Sequence, residues 1–183
     1  MPTVEQIKDR KKSSLAVDIV VFTYISENDL ENWDGWELES DNRGHAPVQR
    51  GWHVLVIGRK NLPYSHTEGY VCLPGGFVDY DEDPCDAAYR ELKEETGLTS
   101  TVGAMFLVGV YGKKGRDPRS HVVSVAYGCE IAPDMARKAA GDDDAKWTSW
   151  VPVSGILTKS IKVGFDHEDI ISDAMSKLDL NRY

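Results

Sequence analysis

The apolar positions of the chain fall into short runs of β-branched and aromatic residues, separated by polar segments carrying glycine and proline. Residues 15–24 (LAVDIVVFTY) predict a buried strand, and residues 52–57 (WHVLVI) predict the strand that returns beside it. Residues 70–73 lead into a Pro74-Gly75-Gly76 turn, and residues 102–111, 121–131 and 147–153 predict three further strands. Helical spacing of the apolar positions recurs over residues 83–96 and 166–178, and a shorter pattern occupies residues 4–11. The second helix starts at Asp166, with Asp169 three residues on as its capping partner. Residues 26–41 break the pattern with dense acids around Trp33 and Trp36, which reads either as a long solvated loop or as tryptophans packed at a subunit interface. Strands mixed with two sizeable helices point to an α/β protein, an α/β/α sandwich around a mixed β-sheet. We expect residues 1–14 to be an N-terminal extension and residues 15–183 to form a single domain, with no internal repeat or interdomain linker.

The first long helix has its own logic. Asp83 is a good N-cap, Pro84 suits the first helical position, Asp86 stands where a capping-box acid would, and Gly97 is a natural stop. Within it Glu91, Glu94 and Glu95 crowd together at offsets of three and four. Like charges at that spacing destabilise an isolated helix by about 0.2–0.5 kcal/mol per pair. A solvated acidic face is one reading of such a run. The other is a site for a hard divalent cation, which oxygen ligands suit and which would remove the repulsion. Arg90 is placed to pair with a neighbouring carboxylate and hold it in one rotamer.

The offsets extend beyond the helix. Gly76 is followed after five residues by Glu82, and after seven more by Arg90-Glu91-Leu92-Lys93-Glu94-Glu95-Thr96-Gly97-Leu98. Written as G-x5-E-x7-R-E-U-x-E-E-x-G-U, with U aliphatic, this resembles the signature of the Nudix hydrolases, and every position matches. The resemblance implies a Nudix-like α/β/α sandwich and a metal site formed by Glu91, Glu94, Glu95 and the Gly76 carbonyl. Glu82 takes an outer or third-ion role, with Mg2+ as cofactor and Mn2+ as its substitute. Glu91, Glu94 and Arg90 then belong to the catalytic set. The general base is left among the loop carboxylates Asp142, Asp143 and Asp144, with Asp143 and Asp144 carried as candidates.

A second stretch bears on substrate. Residues 112–121 (GKKGRDPRSH) concentrate two lysines and two arginines in an otherwise acidic chain. Near a carboxylate cluster such a loop suits a phosphorylated substrate; it also reads as a hairpin turn with Asp117 salt-bridged. Arg116-Asp117-Pro118-Arg119, the Gly141-Asp-Asp-Asp-Ala segment and Phe165-Asp-His-Glu-Asp-Ile-Ile resemble the ADP-ribose pyrophosphatase branch of the family. That branch implies hydrolysis of ADP-ribose to AMP and ribose 5-phosphate, with Arg116, Arg119, Gly75 and Phe77 contacting substrate, and a homodimer. The alternatives are another nucleoside diphosphate derivative, such as NADH or a nucleotide sugar, and an ADP-ribose-sensing regulator.

Composition narrows the partners. A formal net charge of −9 over 183 residues argues against nucleic acid or an anionic membrane. Cys72, Cys85 and Cys129 are odd in number and widely spaced, which fits a reducing compartment better than a disulfide scaffold. With no long apolar run or cleavable leader in view, a cytoplasmic location is expected. The five histidines show no zinc-ligand spacing. His66 and Tyr64 could line a nucleotide pocket, whereas His167 reads as structural or surface-exposed.

Overall fold

The computed structural model describes residues 12–31, 49–59, 70–99, 104–139 and 145–180. Strand β1, Ser14–Ile25, is its spine. Along one edge β1 runs parallel to β6, Val122–Glu130, which pairs antiparallel with β5, Phe106–Tyr111. Along its other edge β1 is shared by two antiparallel partners. Its C-terminal half pairs with β2, Gly51–Arg59, in register from Phe22 opposite Val54 to Ile25 opposite Gly51. Its N-terminal half pairs with β4, Gly75–Phe77, placing Val17 opposite Gly76 and Asp18 opposite Gly75. Between them the edge forks: the Ile19 amide donates to Pro74 O at 2.9 Å. β7, Ala145–Pro152, extends the sheet beyond β2, and β3, Tyr70–Val71, pairs with β8, Lys162–Val163, in a separate parallel ribbon.

Period-two alternation on β1 feeds two cores, one on each face. Val17, Ile19 and Val21 meet Ala87, Ala88 and Leu92 of helix α2, Pro84–Thr96, together with Trp150 of β7. Val20 and Phe22 face Ile170, Ile171 and Ala174 of α5, His167–Lys177. The result is the expected α/β/α sandwich around a mixed sheet.

Several boundaries differ from the expectation. Ser14 already belongs to β1, and Gly75–Phe77 is a short strand rather than only a turn. Helices α1, Glu27–Glu31, α3, Pro133–Ala136, and α4, Val153–Leu157, have no strong periodic signal because none exceeds five residues. Asp166 stands at the N-cap of α5 but makes no side-chain cap bond there. Arg116 takes its carboxylate instead, as described below. The helix at residues 4–11, the tryptophans Trp33 and Trp36, and Tyr64 and His66 all lie outside the described residues.

None of the three cysteines is in a disulfide, with Cys72 and Cys129 buried and Cys85 partly exposed. Burial pushes the Cys129 thiol up to about 12. A disulfide-exchange reagent at pH 8 is therefore expected to label Cys85 alone in the native protein, and all three thiols after unfolding. A native count of three would contradict this packing.

Candidate active site

Helix α2 begins where the sequence predicts. Asp83 Oδ1 accepts the Cys85 amide at 2.8 Å, and Pro84 fills the first turn. At the other end Gly97 takes a left-handed φ of 70° and donates its N–H to Lys93 O. Burying Ala88 and Leu92 against β1 fixes the rotation of the helix, and that rotation turns Glu91 and Glu95 toward β4.

There the carboxylates meet the glycine turn. Glu95, only 9% exposed, accepts the Gly75 amide on Oε2 at 2.8 Å. Gly76 packs so closely on Glu91 that a methyl group in place of its hydrogen would overlap the Glu91 carboxylate. Gly75 faces the opposite constraint, because a side chain there would strike the Val17 carbonyl across the β1–β4 pair. Each glycine of the turn thus marks a close approach, Gly75 to the sheet backbone and Gly76 to a carboxylate.

Arg90 organises the remaining acids. Its Nε and Nη2 grip Glu82 in a two-point fork at 2.8 Å each, while Nη1 reaches Glu91 at 2.7 Å and Glu94 at 3.3 Å. Nη2 also donates to Phe77 O at 3.1 Å, which ties β4 to the helix. Glu82 in turn accepts the Asp79 amide. The Arg90 bond, with the Asp79 amide behind it, holds the Glu82 carboxyl down at about 2.

Beside the turn lies a pocket whose wall contains Gly75, Gly76, Phe77, Arg116 and Arg119. The structure therefore brings the sequence-predicted substrate residues together next to the acidic helix. It also separates the two arginines. Arg116, with a side chain 5% exposed, is ion-paired to Asp18 at 3.0 Å and to Asp166 at 2.6 Å. Arg119, 36% exposed, forks onto Asp117 and lies 6.0 Å from the centre of the Phe77 ring and 5.6 Å from that of Phe165. Asp117 is thus salt-bridged, and its partner Arg119 still faces the pocket.

Phe165, His167 and Asp18 also line the wall, and sequence reasoning assigned none of them to the site. Phe165 has a signal only in retrospect: it holds a left-handed φ of 56°, uncommon for a bulky residue and often found where a site constrains the backbone. Asp18 is a charge within an apolar strand. Burial alone would push its carboxyl up; His167, Ser124 and Arg116 outweigh that and hold it well below the usual range. Asp142, Asp143 and Asp144 lie outside the described residues.

An acidic helix set against a glycine turn, within an α/β/α sandwich, defines the Nudix class of hydrolase. The chain belongs to that family, its NUDIX domain match covering residues 41–173. It is 38% identical over 128 residues to the ADP-ribose pyrophosphatase of Methanocaldococcus jannaschii, an overlap of 70% of this chain and 69% of that protein. It is 32% identical over 127 residues to the ADPR responsive transcriptional repressor NtrR of Acinetobacter baylyi, covering 68% of this chain and 47% of the repressor. Among solved structures, a mutT/nudix family protein from Listeria innocua superposes with a TM-score of 0.67 at 28% identity, covering 93% of this chain and 96% of that one.

Proposed function

We propose that this protein hydrolyses the pyrophosphate bond of ADP-ribose to AMP and ribose 5-phosphate, using Mg2+ or, in its place, Mn2+. One observation carries the reading: Glu91 and Glu95 both pack against the Gly75-Gly76 turn that forms part of the Arg119 pocket. The likeness to the Methanocaldococcus jannaschii pyrophosphatase supports ADP-ribose as the substrate.

The residues fit a divalent ion. The donors are oxygens only, as hard cations require, and the absence of a side chain at Gly76 lets the Glu91 carboxylate lie directly against the turn. Among the described residues no three acids already form a cage, and Arg90 holds Glu82, Glu91 and Glu94. Glu91, Glu94, Glu95 and the Gly76 carbonyl would hold the ion, while Glu82 stays outside as the two-point partner of Arg90. When bound, such a cation neutralises pyrophosphate oxygens and acidifies a water. Arg119 supplies positive charge from the pocket side, and Phe77 and Phe165 offer apolar surface beside it. Because positioning and charge stabilisation carry most phosphoryl chemistry, no covalent nucleophile is needed. Asp143 and Asp144, with Asp142, are the carboxylates assigned to take the proton of the attacking water. The same reading makes the protein a homodimer and places it in the cytoplasm, a reducing compartment that suits cysteines outside any disulfide.

The test is steady-state hydrolysis with Mg2+ across ADP-ribose, NADH, diadenosine polyphosphates, nucleotide sugars and nucleoside triphosphates. ADP-ribose should give the highest kcat/KM, and Glu95→Gln should lower it by about 100-fold or more. Preference for another compound would retain the Nudix chemistry and discard the substrate. ADP-ribose bound without turnover would instead favour a sensor, as the likeness to the ADPR responsive transcriptional repressor of Acinetobacter baylyi suggests.

A further inference from the structure

Behind the glycine turn lies a buried polar network that the hydrolytic parts do not use. His167, the first residue of α5, is 3% exposed. Its Nδ1 sits 2.9 Å from the Leu73 amide. A backbone N–H can only donate, so Nδ1 carries no proton and the ring's hydrogen is on Nε2. Nε2 lies 3.3 Å from Asp18 Oδ1. Asp18 Oδ2 in turn accepts Ser124 Oγ at 2.6 Å and Arg116 Nη2 at 3.0 Å. The Phe165 ring covers the imidazole at a centroid distance of 5.2 Å.

The segment gripped this way is the one that delivers the metal-facing turn. Leu73 is followed by Pro74, whose carbonyl accepts the Ile19 amide, and then by Gly75, whose amide is held by Glu95. Three successive residues are therefore fixed from three directions: His167 of α5, Ile19 of β1 and Glu95 of α2. Proline at 74 has no N–H of its own, so the Leu73 amide is the donor through which α5 can hold this stretch. At Leu73 that contact is a side-chain acceptor, not a sheet bond.

We propose that His167, oriented by Asp18, is a positioning residue that sets the Leu73–Gly75 segment so that the Gly76 carbonyl and the carboxylates of Glu91 and Glu95 present one cation site. The inference rests on the functional reading above for the identity of that site. Groups that hydrogen-bond a metal ligand typically change metal affinity or activity by about 10–100-fold when removed, and His167 acts on the Gly76 ligand through the backbone that leads into it.

Two substitutions separate the two nitrogens. In His167→Asn the amide oxygen can stand near the position of Nδ1 and accept the Leu73 amide; in His167→Gln the amide reaches toward Asp18 and leaves Leu73 without its acceptor. We expect His167→Gln to weaken Mn2+ binding, read by electron paramagnetic resonance, by about 10–100-fold and to lower kcat with little change in the KM for ADP-ribose. His167→Asn should stay within about threefold of the parent in both, and thermal unfolding should show both variants folded. Equal losses in the two variants would overturn the proposal and leave His167 a general packing residue. Equal retention would overturn it as well. If the parent binds Mn2+ but turns over no ADP-ribose, the substrate reading falls, and the contrast in Mn2+ affinity between Asn and Gln still decides the positioning role.

Discussion

Gly76→Ala is expected to remove nearly all hydrolysis while the protein stays folded. The added methyl overlaps the end of the Glu91 side chain, which can swing away at little cost to the core. That swing takes the carboxylate from the position set by Arg90 and the turn, and a displacement of about 1 Å in a catalytic constellation costs about 100-fold in rate. Gly75→Ala, one residue earlier, should behave in the opposite way. Its methyl strikes the Val17 carbonyl and stands 3.1 Å from Asp18 Cα, both backbone, and the residue holds a φ of 154°. Neither strand can yield without breaking the β1–β4 pair, so a loss of about 3 kcal/mol or more in unfolding free energy is expected. Urea unfolding alongside steady-state assays checks both. Comparable stability losses in the two variants would show that Gly76 is structural rather than a partner of Glu91.

Arg116→Met is expected to be among the most destabilising single changes in the protein, at about 3–5 kcal/mol, because it leaves buried Asp18 facing Asp166 with no cation between them. Arg119→Met should cost less stability, since that guanidinium is more than a third exposed, and should chiefly raise the KM for ADP-ribose. Denaturant midpoints and KM values for the two variants test this division. A raised KM with unchanged stability in Arg116→Met would place Arg116 on the substrate after all.

The two arginines also show where sequence reading stops. Residues 112–121 announce a basic loop, and that loop does stand at the pocket. Which arginine faces a ligand depends on Asp18 and Asp166, which lie 98 and 50 positions away from Arg116 along the chain. No local pattern carries such a pairing. The expected cap of α5 failed for the same reason: Asp166 has the right residue type at the right place, but a buried guanidinium competes for its carboxylate more strongly than a backbone amide does.

The acidic helix, by contrast, was legible almost in full. Its cap at Asp83, its stop at Gly97 and the crowding of Glu91, Glu94 and Glu95 follow from helical period and local hydrogen bonding, which act over a few residues. The split between buried Ala88 and Leu92 and site-facing Glu91 and Glu95 is instead set by packing on the sheet. The strands of the sheet were legible from apolar runs in the same way, and the signature offsets identified the family before any contact was known. The fork of the sheet on β1, the short β4 pairing and the His167–Asp18 support behind the glycine turn were decided only by tertiary structure. Each joins residues far apart in sequence through single hydrogen bonds or a register of three or four residues, too little signal to leave a period in the chain. Local propensity thus determined what the elements are, and long-range packing determined which of their polar side chains remain available for chemistry.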